Sequence, residues 1–198
     1  MRQVILASTS KSRAMVLRNA GLVFDQAAPG VDEEAVKTVL RNAGASAAAC
    51  AEKLAEMKAV AVSARHPEAL VIGGDQMLEC EGVWFDKPAD RAAARRQLLT
   101  LRGKTHRLVN SLVVALRGAR IWHFADSPAI TMRAFSDGFL DDYLGQVGEN
   151  VFHSVGGYQL EGPGSQLFTK IEGDFFSVLG LPLLPLLAFL REHGVLKT

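Results

Sequence analysis

Short apolar runs alternate along this chain with longer segments in which apolar and polar positions recur at helical spacing. The apolar runs at 4–6 and 70–72 have the length and composition of buried strands. Alanine is concentrated at 45–64, and this segment is predicted to be helical because alanine has the highest helix propensity. Further helices are predicted after Ser10 and at 90–101, 136–147 and 183–193, and further strands at 106–116, 121–133 and 167–171. The alternation of strands and helices indicates an α/β fold.

The length, composition and charge of the chain indicate which classes of protein it can belong to. With 198 residues and no evident linker, the chain is expected to form a single domain over 1–198, or two lobes sharing a core. Apolar residues make up 48% and the net charge is +1 without a basic block, so nucleic acid is not an expected partner. Lys11 and Arg13 interrupt the N-terminal apolar stretch too early for a signal peptide, and two prolines interrupt the short C-terminal apolar run. A cytoplasmic protein without a membrane partner is therefore expected.

The first predicted strand leads directly into the polar segment ASTSKSR, after which a helix is expected. The segment lacks the glycines of a Rossmann turn and the lysine of a P-loop. A helix N-terminus still offers backbone N–H groups and partial positive charge to an anion, and Ser8, Ser10 and Arg13 add hydrogen-bond donors. The alternative is that Ser10 only caps the helix while the cations face solvent.

A second transition from apolar to polar residues lies at VIGGDQ, where Asp75 follows two glycines. Gly73 and Gly74 permit a positive φ angle or close approach of a ligand, which predicts a turn at this point. A carboxylate in such a position commonly holds a metal ion or activates water. The alternative is a turn aspartate that bonds its own backbone.

Four other charged residues are candidates for binding, and each also has a simpler explanation. The acidic cluster around Glu33 offers oxygen ligands for Mg²⁺, or forms a solvated acidic loop that opens a helix. Lys58 in the alanine-rich segment and Lys87 before a proline can reach a phosphate, or remain ordinary surface lysines. Glu161 lies in the glycine-rich segment GGYQLEGPG, where it can accept two hydrogen bonds from a guanine edge, or project from a hairpin.

The order of these motifs resembles the Maf family of nucleoside triphosphate pyrophosphatases, also called septum-formation inhibitors. LASTSxxR, VDE, GxDQ, KP and GKTH are followed by GGYQLEGxGxxLF and IEGDFFSVLGLPL, and the resemblance extends over residues 5–190. It implies an α/β fold similar to that of inosine triphosphatase, with two lobes around a bent mixed sheet and a central cleft. It also implies cleavage of a nucleoside triphosphate between its α- and β-phosphates, with a divalent cation such as Mg²⁺ or Mn²⁺.

The resemblance implies a role for each residue at a matching position. Asp75 corresponds to the general base of the family, and Glu33 together with Asp75 to its metal ligands. The residues that correspond to substrate-binding positions are Ser8, Ser10, Arg13, Lys58 and Lys87. The resemblance further implies a homodimer that removes unwanted nucleotides in the cytoplasm, with a link to cell-division arrest.

Three positions bear on the choice of substrate. Gln76 and Glu161 resemble the branch of the family that hydrolyses 7-methyl-GTP. Ser12 stands where that branch carries an aromatic residue, on whose face a cationic 7-methylguanine stacks favourably. Hydrolysis of modified nucleotides such as 7-methyl-GTP is therefore expected. The alternatives are a dTTP/UTP pyrophosphatase and a non-catalytic nucleotide-binding regulator of septum formation.

Overall fold

The computed structural model describes residues 2–197, and within them hydrogen bonds join eight strands in one mixed sheet. The strands are β1 (Val4–Leu6), β2 (Asp25–Gln26), β3 (Leu70–Cys80), β4 (Val83–Phe85), β5 (Thr105–Leu116), β6 (Ala119–Asp126), β7 (Ala129–Met132) and β8 (Phe168–Glu172). The order is β2-β1-β3-β5-β7-β8, with β4 beside β3 and β6 beside β5. Strand β1 runs parallel to β2 and β3, whereas β5 is antiparallel to β6 and β7.

Seven α-helices lie within the same described residues, so the expected α/β fold is confirmed. They are α1 (Lys11–Asn19), α2 (Glu33–Asn42), α3 (Ala47–Ser63), α4 (Arg91–Leu101), α5 (Asp137–Val147), α6 (Phe175–Val178) and α7 (Leu183–Glu192). Six of them begin at a serine or aspartate whose side chain accepts a hydrogen bond from a backbone N–H of the first turn. No helix within residues 2–197 is both long enough and apolar enough to cross a membrane.

The structure corrects two predictions. The expected turn at VIGGDQ is wrong, because β3 continues through Gly73 and Gly74 to Cys80. The strand predicted over 121–133 is interrupted at Pro128, which has no N–H to donate to the sheet. The acidic cluster opens a helix, because the Asp32 side chain accepts a hydrogen bond from Ala35 N at 3.0 Å and starts α2.

The chain divides into two compact units, and the first comprises residues 2–76, Asn110–Asp126 and 180–197. Its core joins the alanine-rich helix α3 to the neighbouring strands. Ala55 and Ala59 of α3 pack on Val113 and Ala115 of β5, and Val62 packs with residues of β1 and β3. The small side chains of α3 allow the helix and the sheet to approach closely.

The second unit comprises Met77–Val109 and Ser127–Leu179. Its core is built from large apolar side chains on β3, β5, β7, α4 and α5, among them Leu78, Leu98, Leu108 and Ile130. His106 lies within this unit and is only 1% exposed. Its Nε2 lies 2.6 Å from the hydroxyl of Tyr158, and its Nδ1 has no hydrogen-bond partner among the described residues.

The buried imidazole of His106 predicts a defined dependence of stability on pH. Burial lowers the pKa of His106 from its ordinary value of 6.5 to about 4. The unfolded chain therefore binds the additional proton between about pH 6.5 and 4, and the free energy of unfolding falls as pH falls through this window. The expected contribution is about 3 kcal/mol, fully present above pH 6.5. Urea unfolding of the wild type and of His106→Gln between pH 4 and 7 measures this contribution. The free energy of unfolding of the variant should depend less steeply on pH, because the variant lacks the imidazole.

The exposed His66 provides the control for this experiment. His66→Gln should retain the pH dependence of the wild type. Equal slopes for wild type and His106→Gln would contradict the assignment of the effect to His106.

Candidate active site

The site begins at the N-terminus of α1, where two serines and an arginine bond to one another. Ser8 Oγ accepts a hydrogen bond from Ser10 N at 3.1 Å, and Ser10 Oγ accepts from Arg13 N at 3.3 Å. Ser10 is therefore the N-cap of α1, as predicted. Arg13 Nη1 donates to Ser8 Oγ at 3.4 Å, so the guanidinium folds back over the first turn of its own helix.

Arg13 is also held by a hydrogen bond to a residue near the C-terminal end of the chain. Its Nε donates to the carbonyl oxygen of Gly180 at 2.8 Å, and Gly180 has φ +87°, a conformation that favours glycine. Burial lowers the pKa of the Arg13 guanidinium, while the negative charges of Asp75 and Glu33 raise it in opposition. Arg13 is thus a cation held in one position, and it interacts electrostatically with the carboxylates of Asp75 and Glu33.

Glu33, Lys58 and Asp75 form a second cluster in the same unit, the carboxylate–lysine triad. Lys58 Nζ lies 2.7 Å from Asp75 Oδ1 and 2.8 Å from Glu33 Oε1. Lys58 and Asp75 are buried, with exposures of 4% and 5%. None of the described residues donates a hydrogen bond to Asp75 Oδ2, although that atom is buried. A buried carboxylate oxygen without a donor is costly unless a ligand satisfies it, so this atom points to a binding role.

Local packing explains why these side chains meet. Leu6 at the end of β1 pairs with Ile72 of the parallel strand β3, so Ser8 and Asp75 both lie just beyond that pairing. Ligands in α/β proteins bind preferentially at the carboxyl ends of parallel strands. A Cβ on Gly73 would lie 2.7 Å from Ala59 N, so only glycine lets α3 come close enough for Lys58 to reach Asp75. The glycine predicted to form a turn instead permits close packing of a helix on a strand.

Gln76 follows Asp75 and is bonded to polar side chains on two further strands. Gln76 Nε2 donates to Asn110 Oδ1 at 3.1 Å, and Asn110 Nδ2 donates to Asp126 Oδ1 at 3.0 Å. Sequence reasoning did not identify Asn110 or Asp126 as candidates. The available signal was the polar pair Asn110-Ser111 within the otherwise apolar strand LVNSLVVAL.

The other predicted site residues are placed as follows. Ser12 is half-buried in the first turn of α1, within the first unit. Lys87 and Glu161 belong to the second unit and are exposed there. Lys87 follows β4, and Glu161 lies in the loop that precedes Pro163. A Cβ on Gly164, directly after Pro163, would overlap Gln159 O and lie 2.9 Å from Gln159 N, so glycine is required where the chain packs back on this loop.

The two carboxylates of the triad fit a divalent cation of the magnesium type. Within residues 2–197, three or more His, Cys, Asp or Glu side chains nowhere form a group that could hold a metal ion by themselves. Mg²⁺ does not require such a group, because it is commonly bound by one or two carboxylates together with water and substrate phosphates. The carboxylates of Asp75 and the half-exposed Glu33 supply oxygen donors of this kind.

Comparison with known proteins identifies the family of the chain. Residues 3–193 match the family described as Maf-like protein. The chain is 59% identical over 192 residues to a protein of Paramagnetospirillum magneticum named nucleoside triphosphate pyrophosphatase, with 97% of this chain and 99% of the relative covered. It is 52% identical over 194 residues to a protein of the same name from Granulibacter bethesdensis, with 98% of each covered. It is also 48% identical over 191 residues to the 7-methyl-GTP pyrophosphatase of Brucella abortus, with 96% of each covered. The chain therefore belongs to the family of Maf-like proteins.

Proposed function

We propose that this chain is a nucleoside triphosphate pyrophosphatase that hydrolyses the bond between the α- and β-phosphates and releases pyrophosphate and a nucleoside monophosphate. The observation that carries the proposal is Asp75, a buried carboxylate with one oxygen lacking a donor and the other held by Lys58. Arg13 and the N-terminus of α1 lie in the same unit. The names of the relatives in Paramagnetospirillum magneticum and Granulibacter bethesdensis support the same reaction.

The polyphosphate is bound by groups that neutralise its charge. Phosphoryl transfer depends on positioning and charge stabilisation more than on covalent chemistry. The N-terminus of α1 contributes partial positive charge, Ser8 and Ser10 contribute hydroxyls, and Arg13 contributes a cation already oriented by Gly180 O. Lys58 adds a buried positive charge, and the resemblance to the family supports a substrate-binding role for Lys87 as well.

Asp75 is the general base. It orients a water molecule whose oxygen attacks the α-phosphorus, and its Oδ2 takes the proton that the water loses. The bond between the α-phosphorus and the bridging oxygen breaks, and pyrophosphate leaves with the electron pair. Lys58 fixes Oδ1 at 2.7 Å, so the carboxylate keeps one orientation while Oδ2 handles the proton.

A divalent cation, Mg²⁺ or Mn²⁺, completes the site in this proposal. Glu33 and Asp75 would hold it, since they provide the carboxylate oxygens that such cations prefer. When bound, the cation neutralises charge that develops on the phosphate oxygens. The resemblance to the family also supports the proposal that the chain acts in the cytoplasm as a homodimer.

The substrate is proposed to be a modified purine nucleotide such as 7-methyl-GTP. Gln76 and Glu161 are the residues assigned to base recognition, and Ser12 leaves the position of the stacking aromatic unfilled. The relative in Brucella abortus, which is named 7-methyl-GTP pyrophosphatase, supports this branch.

A pyrophosphate-release screen tests both the reaction and the substrate. The purified chain is incubated with Mg²⁺ or Mn²⁺ and 7-methyl-GTP, dTTP, UTP, CTP, pseudo-UTP or the ordinary purine triphosphates. Fastest release from 7-methyl-GTP is expected. Fastest turnover of dTTP and UTP would contradict the substrate assignment and retain the reaction. Nucleotide binding without pyrophosphate release from any compound would instead support the non-catalytic regulator.

A further inference from the structure

We propose that Tyr143 and His106 position the loop 157–164 and thereby help Glu161 to distinguish one nucleotide base from another. We call this segment the recognition loop. The inference rests on the proposed function, because the loop selects a base only if the chain binds a nucleotide. Tyr143 and His106 are positioning residues in this proposal, since each acts on the substrate through the loop.

The recognition loop is held at its first residue by helix α5. Tyr143 Oη donates a hydrogen bond to Gly157 O at 3.2 Å. Tyr143 is only 4% exposed, and burial raises the pKa of its hydroxyl, so the group stays protonated and can donate. Gly157 is also buried and has φ +74°, a conformation that favours glycine. Because a buried carbonyl without a donor is costly, this hydrogen bond fixes the start of the loop.

A second anchor joins strand β5 to the next residue of the loop. His106 Nε2 lies 2.6 Å from the Tyr158 hydroxyl, and the two side chains are 1% and 5% exposed. The ring of Tyr158 also packs edge-on against Phe168, with 4.7 Å between the ring centroids. Because burial lowers the pKa of His106 to about 4, the imidazole is neutral at pH 7, and a hydroxyl can pair with either of its tautomers. The two anchors therefore come from different elements and meet at neighbouring residues of the loop.

A tight turn connects the anchored end of the loop to Glu161. Gly162 N donates to Gln159 O at 3.3 Å, which closes the turn around Glu161. A Cβ on Gly164 would overlap Gln159 O, so the far end of the loop packs directly on the residue that follows Tyr158. A displacement of Tyr158 would therefore shift the backbone that carries Glu161. The backbone position of Glu161 is set in this way whichever partners its carboxylate contacts.

Removing one hydroxyl from each anchor tests the proposal. Tyr143→Phe and Tyr158→Phe keep the aromatic rings and remove the hydrogen bonds to Gly157 and His106. In each variant, the ratio of kcat/KM for 7-methyl-GTP to kcat/KM for UTP is expected to fall about fivefold, which corresponds to the net loss of one hydrogen bond. An unchanged ratio, including an equal loss for both nucleotides, would overturn the role of the anchor concerned.

A double-mutant cycle tests whether the effect passes through Glu161. Glu161→Gln alone should lower the ratio, because an amide offers one accepting oxygen to the N–H donors of a guanine where the carboxylate offers two. Adding Tyr143→Phe to Glu161→Gln should then change the ratio by less than about twofold, because the residue that the anchor positions has already lost its preference. A further fivefold fall in the double variant would show that Tyr143 acts independently of Glu161 and would overturn the proposal.

Hydrogen–deuterium exchange separates this inference from the proposed function, because it needs no nucleotide. The backbone amides of 157–164 are expected to exchange faster in Tyr143→Phe than in the wild type. If the wild type releases no pyrophosphate, the proposed function fails and the role in selectivity fails with it, whereas the exchange rates still report the anchoring. If the wild type releases pyrophosphate but Tyr143→Phe changes neither the exchange nor the ratio, the inference fails and the proposed function stands.

Thr100→Val provides the matched control. It removes a hydroxyl from an exposed position on α4, where the hydroxyl donates to Arg96 O of the same helix. This variant should retain the wild-type ratio and the wild-type exchange of the recognition loop. Thermal melting of each variant shows which are folded, and Tyr143→Phe decides the question if Tyr158→Phe does not fold.

Discussion

Replacing Asp75 by asparagine is expected to lower kcat for pyrophosphate release by about 10²–10⁴-fold, the range typical for loss of a general base. Asparagine has nearly the same shape and keeps an oxygen that can accept from Lys58, but it cannot take a proton from water. The effect should therefore fall on kcat, while KM changes little. Steady-state kinetics of pyrophosphate release at saturating divalent cation measure both constants.

The exposed Asp142 on α5 provides the matched control. Asp142→Asn should retain the wild-type kcat, and Asp75→Asn should retain the wild-type melting behaviour closely enough to show that it folds. A folded Asp75→Asn variant with the kcat of the wild type would show that another group acts as the base.

Replacing Lys58 by methionine is expected to cost about 3–5 kcal/mol of the free energy of unfolding, the range for removal of one partner from a buried ion pair. Lys58 Nζ contacts both Asp75 and Glu33, and its loss leaves Asp75 buried without a cationic partner at Oδ1. Methionine fills a similar volume, so the loss reflects electrostatics and hydrogen bonding more than a cavity. Urea unfolding at pH 7 measures the effect.

Lys53 on the same helix separates this effect from helix propensity. Lys53 is exposed on α3, and Lys53→Met should change the free energy of unfolding by less than about 0.5 kcal/mol. Similar small effects for Lys53→Met and Lys58→Met would show that the carboxylate–lysine triad does not stabilise the fold. Lys58→Met should also slow pyrophosphate release, because Asp75 loses the contact that orients it.

The sequence was informative where local chemistry decides structure. The N-caps at Ser10 and Asp90 follow from side-chain oxygens placed before helical segments, and the alanine-rich segment forms α3 because alanine favours helix. Asp75 was a candidate because a carboxylate directly after an apolar strand and two glycines commonly holds a metal ion or activates water. These signals lie within a few neighbouring residues.

The remainder of the site depends on contacts between distant segments. Asp75 and Lys58 are 17 residues apart, and Arg13 bonds to Gly180 across 167 residues. Gly73 misled prediction because the same residue type serves turns and close helix–strand packing, and only the position of α3 distinguishes the two. The hydrogen bonds from Gln76 to Asn110 and from Asn110 to Asp126 join three strands whose adjacency no local pattern encodes. The mixed sheet itself, and not any motif, brings Gln76 beside Asn110.

The most direct test of the proposed reaction is hydrolysis of 7-methyl-GTP in water enriched in ¹⁸O, with mass spectrometry of both products. Attack of water on the α-phosphorus predicts that ¹⁸O enters the nucleoside monophosphate while the released pyrophosphate stays unlabelled. Label in the pyrophosphate, or release of orthophosphate with a nucleoside diphosphate, would contradict the account.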